Sequence, residues 1–170
     1  RYAYQAARMY HYAESYEACK AVYKKYIEPI SSADLAKGWA MAVYAGSVRY
    51  AGNPTEAAYL FSKVFNSNPE RRVQAYKNFH YTSAPVDEVL GFAKSDQEKA
   101  NIIAIKSFGN PDYDLDALKK VYDCIPSSLM NGTLLVRQVN KLEKHFNTVG
   151  GFSKRYDYSL DPRNDTINNV

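Results

Sequence analysis

The sequence predicts an all-α fold, an α-solenoid of about four antiparallel helical hairpins with an extra C-terminal helix and an irregular tail. Apolar residues recur at helical spacings of three and four along most of the chain, and no run of four to eight residues alternates as a half-buried strand would. The tripeptide Gly-Asn-Pro occurs twice, at Gly52-Asn53-Pro54 and Gly109-Asn110-Pro111, each time between two amphipathic stretches. Glycine stops a helix in the left-handed conformation and proline opens the next one, so each copy marks a tight turn between helices.

Taken in order, Arg1 to Tyr12 place Ala3, Ala6, Ala7 and Tyr10 on one helical face. Glu14 and Ser15 form a turn, and Tyr16 to Ile27 form a second helix with Cys19, Tyr23 and Tyr26 inward, ended by Pro29. Ser32 or Asp34 caps a long helix through Trp39, Met41, Tyr44, Ala45 and Val48. After the first Gly-Asn-Pro, Ala57, Ala58, Phe61, Val64 and Phe65 form the apolar stripe of the next helix, closed by Asn68-Pro69.

A shorter hairpin follows, Glu70 to His80 and Pro85 to Ala93, with inward faces built from Val73, Tyr76, Phe79, Val89, Leu90 and Phe92. Ser95 and Glu98 are spaced as a capping box for the helix carrying Ala100, Ile103, Ala104 and Ile105. The second Gly-Asn-Pro opens the helix Leu115 to Ile125, which Pro126 stops. Ser127 or Ser128 caps a last helix with Leu135, Val139, Leu142 and Phe146 on its inward face. The domain thus spans residues 1–147, and 148–170 form a polar tail.

A chain of 170 residues holds one ordinary domain or a handful of repeats. A 46% hydrophobic and 24% charged composition excludes global disorder. A net charge of +4 permits an acidic partner and lacks the strongly basic stripe of a nucleic-acid binder. Cys19 and Cys124 fall on well-separated helices and read as free, small apolar residues. No apolar run approaches the roughly 20 residues of a spanning helix. Sixteen tyrosines are the unusual entry, and most fall on inward spacings as core or seam residues. The chain opens at Arg1 without methionine and reads as a fragment or a processed chain, and with the tyrosine richness this leans towards an exported bacterial protein.

These residues resemble the tetratricopeptide repeat, a helix-turn-helix unit of about 34 residues. The second hairpin matches best, through Tyr44, Ala45, Gly52, Pro54, Ala57, Phe61 and Pro69. The first matches through Ala7, Tyr10, Tyr16, Cys19 and Tyr23, and the fourth through Gly109, Ala117, Val121 and Pro126 with a lengthened turn. The third is degenerate. The physical logic agrees: stacked hairpins bury a continuous core that one hairpin alone leaves open. Ala7, Ala45, Ala57 and Ala104 permit close approach, while Tyr10, Tyr23, Phe61 and Tyr122 fill wider gaps.

The resemblance implies a concave groove lined by the first helix of each hairpin and filled by a peptide. By register it places Tyr4, Arg8, His11 and Tyr12 on that groove, then Trp39, Arg49 and Tyr50, then Lys99 and Lys106. Aromatic and arginine groups make contact hot spots, and Arg8 with Arg49 offers bidentate forks for a carboxylate. Packing against a neighbouring hairpin is the plain alternative for Trp39, and solvation for the rest.

No enzymatic pattern emerges. His11, His80 and His145 lie on distant helices with no metal-ligand spacing, and no phosphate loop or nucleophile elbow is present. Asp157, Asp161 and Asp165 recur every four residues but lack the glycine and glutamate of a calcium loop. The triplets at Asn131 and Asn164 match a glycosylation acceptor, a pattern common by chance. The expectation is a protein-interaction scaffold that is not an enzyme, carries no cofactor or metal, and binds a protein or peptide partner rather than nucleic acid. The alternatives are a structural segment of a longer repeat protein, or a carbohydrate or small-ligand binder built on clustered tyrosines.

Overall fold

The computed structural model describes residues 1–31 and 35–149, and within them every regular element is helical. In chain order these are α1 (Tyr2–Tyr12), α2 (Tyr16–Val22), α3 (Leu35–Tyr50), α4 (Pro54–Ser67), α5 (Arg72–Tyr81), α6 (Val86–Leu90), α7 (Asp96–Phe108), α8 (Leu115–Cys124) and α9 (Leu129–Val149). The expected cap at Ser32 or Asp34 and the tail motifs beyond residue 149 lie outside the described residues.

The second helix changes pitch midway. Tyr23–Ile27 form a π turn, closed by a Glu28 N–H bond to the Tyr23 carbonyl at 2.9 Å. One extra residue enters the turn, so the inward position passes from Tyr26 to Ile27. Ile27 is buried and Tyr26 is 54% exposed, against the expectation for Tyr26.

Consecutive helices pack as pairs at α1–α2, α3–α4, α7–α8 and α8–α9, and α1 also packs on α3. The expected third pair does not form: α5 leans on α4, while α6 lies against α4 and α7. Five residues make α6 too short to bury a stripe of its own, and only Val89 is fully enclosed. The main core runs from Ala7 and Cys19 through Tyr44, Ala57, Phe61 and Phe79 to Ile102 and Ile105. Inside it Tyr23 and Tyr44 stack at 4.4 Å, and burial pushes both phenols up to about 12, so the rings stay neutral. A smaller cluster joins Ala100 and Ala104 to Val121 and Leu134, so α7 serves two cores from opposite faces.

The expected capping box is half formed. Ser95 Oγ accepts the Glu98 N–H at 3.3 Å, while the Glu98 carboxylate takes the N–H of Lys94 at 2.8 Å. The same carboxylate accepts the Tyr59 hydroxyl at 3.0 Å and lies 3.3 Å from the Lys63 ammonium, tying α7 to α4.

Several side chains read as inward are exposed instead: Tyr10, Val73, Phe92 and Tyr122. More of the described tyrosines are exposed than buried, with Tyr23, Tyr44 and Tyr59 the fully enclosed ones. The last helix departs furthest. Leu135, Val139, Leu142 and Phe146 face outward, and Leu134 and Gln138 occupy the buried positions. One residue of register turns a helix by about 100°, enough to exchange faces. The Gln138 side chain earns its place by accepting the Asp114 N–H at 3.0 Å, so the polar atom that pins the α7–α8 loop decides the rotation.

The two Gly-Asn-Pro copies do different work. Gly52 has φ +91° and Pro54 opens α4, as the tripeptide predicts. Gly109 has φ −85°, and α8 starts only at Leu115, capped by Asp114 Oδ1 on the Ala117 N–H at 3.2 Å. What Gly109 supplies is room: a Cβ there would lie 2.3 Å from the His80 ring, which is held by a 3.1 Å bond to the Ile105 carbonyl.

Alanine substitution separates these roles. Gly52→Ala is expected to cost about 1–2 kcal/mol through left-handed strain alone. Gly109→Ala is expected to cost about 1–3 kcal/mol through overpacking. Adding His80→Ala should recover much of the Gly109→Ala loss and none of the Gly52→Ala loss, measured by urea denaturation. Equal behaviour of both glycines would contradict the assignment.

Candidate functional site

A groove of about 330 Å³ opens where α1, α3 and the 3₁₀ turn Pro69–Arg71 leading into α5 converge. Tyr4, Arg8 and Tyr12 recur every four residues and therefore share one face of α1. Trp39, Ala42 and Val43 supply the facing wall of α3, with Ala42 short enough to leave the hollow. Arg71 and Gln74 close the third side.

The rings carry the geometry. Tyr4 and Trp39 approach with centroids 6.0 Å apart at 56°, and the indole Nε1–H donates to Glu70 Oε1 at 3.0 Å. The Arg71 guanidinium lies over the Trp39 ring at 5.3 Å and donates to Gln74 Oε1 at 3.0 Å. Across the groove the Arg8 guanidinium lies over Tyr12 at 5.4 Å. Stacking on a ring stiffens each guanidinium and leaves its N–H edge for an acceptor. Neither arginine has a carboxylate partner among the described residues.

Four of the residues chosen from sequence, Tyr4, Arg8, Tyr12 and Trp39, thus line one groove. The other five do not. His11 is half-buried between helices: Ser47 Oγ–H goes to the Val43 carbonyl at 3.2 Å, so Oγ accepts from His11 Nδ1–H at 2.9 Å. Burial, and then the nearby Arg49, hold the His11 imidazole below its ordinary value. Arg49 donates to Asn78 Oδ1 at 3.0 Å and covers the Tyr50 ring at 4.6 Å, which itself stacks on Tyr16 at 5.4 Å. Arg49 and Tyr50 are therefore seam groups joining helices, and Arg71 rather than Arg49 shares the hollow with Arg8. Lys99 pairs with Asp96 at 2.9 Å on the exposed side of α7, and Lys106 is exposed in its last turn.

Arg71 and Gln74 were not legible as groove residues, because they follow Pro69 in a short turn whose direction only packing determines. The doubled basic pair Arg71-Arg72 beside a proline was the available signal. Arg72 instead donates to the Phe65 carbonyl at 3.1 Å.

Elsewhere, Asn131 donates to the Ile125 and Pro126 carbonyls at 3.0 and 3.1 Å, a cap on the preceding helix end rather than a free glycan acceptor. Cys19 and Cys124 are free thiols. Among the described residues no group of three or more histidine, cysteine or acidic side chains is arranged to hold a metal, and no helix is long and apolar enough to cross a membrane. No family model, curated protein or solved structure matches this chain.

The histidines make stability depend on pH. His80, like His11, is held below the ordinary value of 6.5, chiefly by burial. The native state therefore binds fewer protons than the unfolded chain just below that value, and stability rises with pH there. Full stability is expected above pH 6.5 and progressive loss as pH falls through the lowered native values. Melting curves between pH 7.5 and 5.0 test this, and a His11→Gln/His80→Gln double variant should show a flatter dependence.

Proposed function

We propose that this chain is a non-enzymatic interaction module, a tetratricopeptide-like stack that holds an acidic peptide or partner segment in the groove of α1, α3 and α5. The observation that carries this reading is the pair Arg8 and Arg71, each laid on an aromatic ring, without a carboxylate partner among the described residues, and flanking one hollow with Trp39 between them. Two preorganised guanidiniums beside an indole suit a carboxylate next to a bulky side chain. A sugar platform has less support, since the Tyr4 and Trp39 planes cross at 56° rather than lying side by side.

A peptide library displayed against the full chain tests the proposal. Wild type is expected to select sequences rich in Asp or Glu beside an aromatic residue. Arg8→Gln and Arg71→Gln should each weaken the selected peptide by tenfold or more, corresponding to about 1.4 kcal/mol or more, with melting unchanged. Selection of the same peptides at equal affinity by all three proteins would sink the proposal.

A second reading, a structural segment of a longer helical stack, is favoured by the opposite end of the fold. Leu115, Tyr122, Leu135, Val139, Leu142 and Phe146 are all more than 40% exposed on α8 and α9. An apolar hollow of about 450 Å³ lies between Leu115, Tyr122, Pro126 and Leu135. Contiguous apolar surface of this kind is an interface in stable proteins. The variant Leu135→Ser/Leu142→Ser is expected to keep its melting temperature while losing self-association in light scattering. A fall in melting temperature as large as for a buried leucine would mean that the face is part of the core.

A further inference from the structure

A second cationic hollow lies at the other end of the molecule from the aromatic groove and shares no residue with it. It is a cleft of about 550 Å³ between α9 and the loop joining α7 to α8. Arg137, Lys141 and Lys144 recur at spacings of four and three, so all three sit on one stripe of α9. Thr133 and Asn140 add a hydroxyl and an amide along the same stripe, and Phe108, Pro111 and Val136 contribute apolar wall. None of the eight described residues lining the cleft is acidic.

One neighbouring acid, Asp114, is already engaged. Asp114 accepts from the Ala117 N–H and from Asn110 Nδ2, each at 3.2 Å, as the cap of α8. Asp112 lies in the adjoining hollow with Tyr113 and His145, and its backbone carbonyl accepts from Lys141 Nζ. The Arg137 Nε–H is buried with no acceptor among the described residues. Arg137 and Lys141 facing one open cleft, with an arginine donor unmet among the described residues, match an anion with several oxygens.

We propose that the cleft between α9 and the α7–α8 loop binds a small phosphorylated anion, with its phosphate oxygens on Arg137 and Lys141 and its uncharged part against Phe108 and Pro111. The volume falls within the range of small-molecule sites. The electrostatics agree with the geometry: partial burial, and then the charge of Arg137, push the Lys141 ammonium below its ordinary value, opposed by Asp114 and Asp112. An anion seated between the two cations relieves that repulsion.

Calorimetric titration of the full chain with inorganic pyrophosphate, at fixed ionic strength, tests the site, with citrate as a carboxylate control. Saturable binding of one pyrophosphate is expected, weakened tenfold or more by Arg137→Gln and by Lys141→Gln. The variant Lys119→Gln/Lys120→Gln, which removes two exposed charges from α8, should leave it unchanged. Far-ultraviolet dichroism identifies any variant that fails to fold, and Lys144→Gln then takes its place with the same expected loss. Absence of saturation, citrate binding as tight as pyrophosphate, or equal weakening by the α8 variant would each overturn the proposal. So would affinity for single-stranded RNA that rises with length and exceeds that for pyrophosphate, which would make the stripe a nucleic-acid surface.

Discussion

Ala57 and Ala58 are completely buried on α4, and the short side chains let that helix approach its surroundings closely enough to touch α3, α5, α6 and α7 at once. Phe61 and Val64, one turn further along, fill the space that the alanines leave. Close-packed interiors tolerate little change of volume, so the positions of α3 and α5 on either side follow from this one helix. The aromatic groove exists because α3 and the turn before α5 are held at that separation. The ion pair of Lys63 with Glu98, joined by the Tyr59 hydroxyl, extends the same control to the start of α7.

Around that centre the helices are stitched by polar contacts at the seams. His11 meets Ser47 from α1 to α3, Arg49 meets Asn78 from α3 to α5, and His80 meets the Ile105 carbonyl from α5 to α7. In two of these seams a glycine, Gly46 or Gly109, lies against the histidine ring. A side chain with one satisfied polar atom and a close-fitting glycine opposite specifies a distance and a rotation that apolar contact alone leaves loose. The cost is that these residues are spent on architecture, which is why His11 and Arg49 are not available to the groove.

Charge is distributed unevenly over the surface that results. Arg8 and Arg71 face one hollow with aromatic support, and Arg137 and Lys141 face another with little, although the whole chain carries a net charge of only +4. Four of the acids are engaged locally, Asp96 with Lys99, Glu17 with Lys20, Glu98 with Lys63 and Asp114 in a helix cap. The described residues lining both concavities include no acidic side chain, so the local charge there is more positive than the net value suggests.

The all-helical character, the approximate helix boundaries, the turn at Gly52-Asn53-Pro54 and the buried alanines were determined by sequence alone, since periodicity, capping and glycine or proline chemistry act within a few residues. Tyr4, Arg8 and Tyr12 could be grouped for the same reason, because helical spacing places them on one face before any packing is known. Tertiary structure decided the rest. It turned α9 by one residue so that Gln138 could reach the Asp114 N–H, leaving the most regular apolar stripe of that helix outside. It passed the inward position of the second helix from Tyr26 to Ile27 through a π turn, and it gave Gly109 a steric role where the same tripeptide gives Gly52 a conformational one. It also brought Arg71 across to Trp39. Each of these outcomes depends on what lies opposite a residue in space, and a local pattern carries no record of its partner across the fold.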